Sequence, residues 1–163
     1  MSVSVANRHM IYTEILAAVM SGMIGIGVIF SRGTVWAAIN KQPDFLGLSY
    51  RLWIGAPLVM CALALLIVCA LEWDSGRRWN EYKLKTNATI REWLCLMLCL
   101  SNITMAIEVI RLGSFWVAPI VIAHAFTLSV AFAFAAVKNR RLCIVLDPRH
   151  PTERLRARMP TSW

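Results

Sequence analysis

Long apolar runs alternate along the chain with short, mostly basic connections. Runs at about residues 11–30, 52–71 and 115–137 each hold the roughly twenty mostly apolar residues that a helix needs to cross a bilayer. A further run, about 93–110, is interrupted by Ser101, Asn102, Thr104 and Glu108, and hydropathy alone leaves it weak. Charge decides it. With that run inserted and the N-terminus inside, Arg32, Lys41, Arg51 and Arg111 lie outside and the rest of the 17 Lys and Arg residues lie inside. Leaving it out would translocate either the arginine-rich tail or the basic 72–92 connection, against the positive-inside bias. Trp53, Trp73, Trp93 and Trp116 fall at the ends of runs, where indole finds both apolar and hydrogen-bonding surroundings. The prediction is an all-α, integral membrane bundle of four transmembrane helices over residues 1–137, followed by a basic cytoplasmic tail over 138–163.

The connections add detail. Val35 to Ile39 predict a short interfacial helix in the first outer loop, ended by the turn signal Gln42-Pro43-Asp44. Leu112-Gly113-Ser114 predicts a tight turn that makes the third and fourth spans an antiparallel hairpin. The 72–92 connection mixes both signs and reads as an inner loop that extends the flanking helices. The first run is too long for a signal-peptide core and no small-residue cleavage pattern follows it, so it is expected to stay as a span.

Composition supports lipid as the solvent. Hydrophobic residues make up 58 % of the 163 and the mean hydropathy is +0.59, above the roughly 45–50 % apolar content of soluble domains. The formal net charge of +8 would elsewhere point to nucleic acid. Here the basic residues sit between apolar runs, so no nucleic-acid partner is expected. Cys61, Cys69, Cys95 and Cys99 lie inside the runs as small apolar residues, and Cys143 just past the last one as a cytosolic thiol. No C-x-x-C, H-E-x-x-H, phosphate loop or nucleophile elbow occurs, so neither metal, cofactor nor enzymatic activity is expected.

Polar groups within spans are expensive in lipid and are the candidates for chemistry. Asn102 and His124 fall at similar depth on the two helices of the hairpin. A hydrogen bond between them would fix packing, while a free histidine would titrate or line a pore. Glu108 and Arg111 are spaced i, i+3 for an ion pair near the outer boundary. Glu14, one turn inside the first span, reads as an interfacial carboxylate. Ala17, Ser21 and Gly25, with Gly22 beside them, form a small-residue face that lets another helix approach closely, a neighbouring span in preference to a second copy.

In architecture the chain resembles bacteriophage holins: small, several spans, a small-residue seam and a charged cytoplasmic tail. Four spans exceed the usual holin number, and no motif residue carries over. That resemblance implies a membrane-permeabilising protein that forms homo-oligomers in a bacterial inner membrane; the charge asymmetry separately predicts that both termini are cytoplasmic. The alternatives are an accessory or structural subunit of a larger membrane complex, and a small ion or solute transporter using Asn102, Glu108 and His124.

Overall fold

A computed structural model of the chain describes residues 3–30, 42, 48–75, 81–111 and 118–146. Its regular elements are α1 (Val3–Phe30), α2 (Tyr50–Ser75), α3 (Glu81–Arg111) and α4 (Ala118–Leu146). All four are long and apolar enough to cross a membrane, which marks the chain as a small multi-span membrane protein.

Each helix buries a stripe of residues spaced three or four apart. On α1 the stripe is Ile11, Glu14, Ala18, Ser21, Gly25 and Val28. On α2 it is Ile54, Leu58, Ala62, Leu65, Cys69 and Glu72, and on α3 Asn87, Arg91, Cys95, Leu98, Asn102, Met105 and Val109. On α4 it is Ala125, Leu128, Phe132, Ala135 and Asn139. This is the spacing of a bundle seam. The outer surface differs from that of a soluble protein. Many large apolar side chains point outward, with Phe30 at 74 % and Phe126 at 70 % exposure, while the interior combines Leu58, Leu65, Leu98 and Phe132 with small and polar residues. Lipid tails are as apolar as leucine, so no hydrophobic drive sorts large side chains inward; close packing and hydrogen bonds hold the seam instead.

Contacts across the bundle fix its topology. Gly22 meets Ala62 and Gly25 meets Leu58, so α1 and α2 are antiparallel. Ser129 reaches the Cys99 carbonyl and Thr89 reaches Cys143, so α3 and α4 are antiparallel, as the hairpin expectation required. Glu14 meets Arg91 and Ser21 meets Asn102, so α1 and α3 run parallel across the diagonal. The start of α1, the end of α2, the start of α3 and the end of α4 therefore share one end of the bundle.

Helix bounds differ from the hydropathy runs in an informative way. α3 starts at Glu81 rather than near Trp93, and α4 continues through Lys138, Arg140 and Arg141 to Leu146. The segments read as inner loop and tail thus contribute full helical turns, because Arg91 and Asn139 on them are buried against other helices. The expected interfacial helix at 35–39, the turn at 112–114, and the tail from 147 lie outside the described residues.

Candidate functional site

The most concentrated chemistry lies in the bundle interior near the terminus-bearing end. Arg91 of α3 is completely buried. Its Nε donates to Glu14 Oε2 on α1 at 2.7 Å, and its Nη1 donates to Glu72 Oε2 on α2 at 2.8 Å. Asn139 Nδ2 of α4 donates to Glu14 Oε1 at 2.7 Å, and Asn87 Nδ2 donates to Glu72 Oε2. The Cys69 thiol lies 3.6 Å from Glu14 Oε2. One guanidinium thus joins two carboxylates from different helices, and the amide on α4 closes the ring of four.

Helical periodicity delivers these groups. Glu14 falls three residues after Ile11 and four before Ala18 on the α1 stripe, and Glu72 falls three after Cys69 on α2. Arg91 precedes Cys95 by four on α3, and Asn139 follows Ala135 by four on α4. Each is a stripe position occupied by a polar residue. Tyr12, Trp73 and Trp93, close in sequence to Glu14, Glu72 and Arg91, face outward, with the Tyr12 and Trp73 rings edge-on at 5.0 Å. Exposed aromatics of this kind mark the membrane boundary, so the ionic core sits at interfacial depth but inside the bundle.

Two readings change here. Glu14 is not a carboxylate among headgroups: it is 1 % exposed and held by three other helices. Arg91 is not a solvated loop charge; it is the buried centre of the cluster. A buried arginine is tolerated only where its charge is paired, and the two glutamates pair it through Nε and Nη1, while Nη2 has no partner. Asn87, which matches a glycosylation pattern by chance, is likewise buried in this core.

Deeper in the bundle, Asn102 is fully buried and turns to α1 instead of His124. Its Nδ2 donates to Ser21 Oγ at 3.1 Å and to the Leu98 carbonyl at 2.8 Å. The expected hydrogen bond between Asn102 and His124 is therefore replaced by one between Asn102 and Ser21, because Asn102 lies on the stripe facing the bundle centre. His124 is exposed on the outer face of α4. It lines a groove of about 410 Å³ between α1 and α4, with Thr13, Met20, Ala123, Thr127 and Ala131 among its walls. Asn102→Ala should cost about 0.6 kcal/mol, the average for an interhelical hydrogen bond in lipid. A double-mutant cycle should show coupling with Ser21→Ala and none with His124→Ala.

Glu108 and Arg111 do pair, with Arg111 Nε donating to Glu108 Oε2 at 2.9 Å. Arg111 Nη2 also donates to Tyr50 OH at 2.9 Å, tying the end of α3 to the start of α2. Arg111 is exposed, so the pair contributes little on its own.

Gly22 and Gly25 of the small-residue face of α1 pack on α2. A Cβ on Gly25 would lie 2.8 Å from Val59 Cγ2 and 2.9 Å from the Gly55 carbonyl oxygen. A Cβ on Gly55 would lie 2.6 Å from Ile29 Cγ1 and 2.8 Å from the Gly25 oxygen. Gly25 and Gly55 face each other and permit backbone contact, while Ala17 and Ser21 are buried and Gly22 touches Ala62. The sequence offered Gly55 as the partner only in retrospect, since it stands alone on α2 among larger residues.

No known protein-family model, curated protein or solved structure matches this chain.

Proposed function

We propose that this chain is a non-catalytic membrane protein that works by lateral self-association and permeabilises the bilayer in the manner of a holin. The observation that carries the reading is the uncovered groove between α1 and α4. Ala123, Thr127 and Ala131, spaced four apart, leave a small-residue track exposed on α4, with His124 beside it. Small residues at that spacing let helices approach closely, and a polar ring facing hydrocarbon gains from any partner that covers it. Copies joined along this track would bring several His124 rings together and give the assembly a polar lining. On the small-residue face of α1, Gly22 and Gly25 are already packed on α2 and Ser21 is bonded to Asn102 of α3, so the joining surface in this proposal is on α4.

Inducible expression in bacteria with a potential-sensitive dye tests it. The expected result is collapse of the membrane potential after a lag, delayed or abolished by Thr127→Leu, which fills the track without touching the core. Normal potential at high expression would sink the permeabilising reading.

A second reading, an accessory subunit of a larger membrane complex, is favoured by the bonds that the charged core makes between all four helices. A bundle tied by its own side chains is a rigid unit suited to docking. Harmless expression together with one co-purifying membrane protein would support this alternative.

A further inference from the structure

We propose that the lipid-facing side of α4 formed by Phe134, Val137, Lys138 and Arg141 binds an anionic phospholipid of the leaflet at the terminus-bearing end of the bundle. The two cations hold its phosphate, and the two apolar side chains lie along its acyl chain. The site lies beyond the track of Ala123, Thr127 and Ala131 and does not rest on the permeabilising reading.

Spacing puts these four residues on one face. Phe134, Val137 or Lys138, and Arg141 follow one another at three or four residues, and all four are exposed. Phe134 and Val137 are 64 % and 54 % exposed, large values for apolar side chains. The buried stripe of α4 runs through Phe132, Ala135 and Asn139, which leaves the proposed face turned away from the bundle.

Two observations set its depth. Asn139, next to Lys138, bonds to Glu14 in the ionic core, at the level that the exposed rings of Tyr12, Trp73 and Trp93 mark as the membrane boundary. Counted from Ala118, the roughly twenty residues to Val137 rise about 30 Å, the thickness of the hydrocarbon core. Lys138 and Arg141 therefore stand at headgroup level, with Phe134 and Val137 against the ends of the acyl chains that begin there.

Helix direction turns the cations toward lipid. Every Cα–Cβ bond tilts toward the helix N-terminus. The C-terminus of α4 lies at this end of the bundle, so its last side chains lean back into the membrane. Lys138 shows the result: its Nζ lies 5.1 Å from the centroid of the Phe134 ring, one turn deeper. α3 starts at this end, so Lys83 and Lys85 lean the other way, toward water. Among the described residues no carboxylate pairs with Lys138, Arg140 or Arg141. Cations held at that depth gain most from an anion in the same plane, and a lipid phosphate is such an anion. A zwitterionic lipid offsets its phosphate with its own ammonium, so the surplus positive charge selects anionic headgroups.

Native mass spectrometry of the detergent-solubilised full chain, titrated with phosphatidylglycerol or phosphatidylcholine, tests the site. The first phosphatidylglycerol is expected to bind more tightly than the first phosphatidylcholine. Lys138→Gln combined with Arg141→Gln should weaken it about 25-fold, roughly fivefold for each basic residue near an anionic surface. Lys83→Gln combined with Lys85→Gln removes the same charge from the same end of the bundle and should leave it unchanged. Equal affinities for the two lipids would overturn the proposal, as would equal losses in the two double variants. If the first variant does not fold, the wild-type preference between the two lipids decides alone.

Discussion

Arg91→Leu is expected to destabilise the bundle by about 3–5 kcal/mol, the cost of removing one partner from a buried ionic contact. The substitution breaks the bonds from α3 to both Glu14 and Glu72 at once. It leaves two buried carboxyl groups without the guanidinium that joins them. A gain in hydropathy for α3 does not offset this, since the glutamates stay on α1 and α2. The triple variant Glu14→Leu, Glu72→Leu, Arg91→Leu should recover much of the loss, because replacing a whole buried ion cluster by apolar residues is often close to neutral. Reversible unfolding in mixed detergent micelles, followed by far-ultraviolet circular dichroism, measures both. A single variant within about 1 kcal/mol of wild type, the range of an exposed ion pair, would contradict the buried placement of Arg91.

Gly25→Ala and Gly55→Ala are expected to destabilise by about 1–3 kcal/mol each, the usual cost of overpacking. The sign is the informative part. Alanine is about 1 kcal/mol better than glycine in a helix interior, so a position open to lipid would be stabilised. At Gly25 and Gly55 the new methyl meets a carbonyl oxygen of the facing helix at 2.9 and 2.8 Å, and backbone cannot swing aside as a side chain can. Gly22→Ala provides the contrast: its Cβ would meet Ala62 Cβ at 3.4 Å, an ordinary contact, and the change should be neutral or mildly stabilising. The same unfolding measurement separates the three. Equal responses at Gly22 and Gly25 would show that α1 and α2 are not packed in this register.

Much of the fold was legible because length, hydropathy and charge asymmetry act on whole segments. The weak run around Asn102 is legible as a helix only because the basic residues require it, and the Glu108–Arg111 pair follows from helical spacing alone. The ionic core is hidden because polar residues at the ends of apolar runs have the same pattern as solvated ones. Glu14, Glu72, Arg91 and Asn139 each stand three or four residues from a buried apolar neighbour, a signal that was present along every helix. Reading it required extending α3 back to Glu81 and α4 forward to Leu146, past the points where hydropathy fails. Asn102 and His124 illustrate the remaining gap. Depth along two helices is readable from residue counts, but their azimuth is set by neighbours that the two segments alone do not reveal. α1 claims the face that holds Asn102, through Ser21, and His124 is left on the outside.

Compartment reporters fused after successive connections test most directly whether all four helices cross the membrane, the third above all. Fusions after Arg78 and after Trp163 are expected to report the same compartment, and fusions after Lys41 and after Ser114 the opposite one. If the fusions after Arg78 and Trp163 reported opposite compartments, either α3 or α4 would not cross. Arg91 could not then lie between Glu14 and Glu72 inside a four-span bundle.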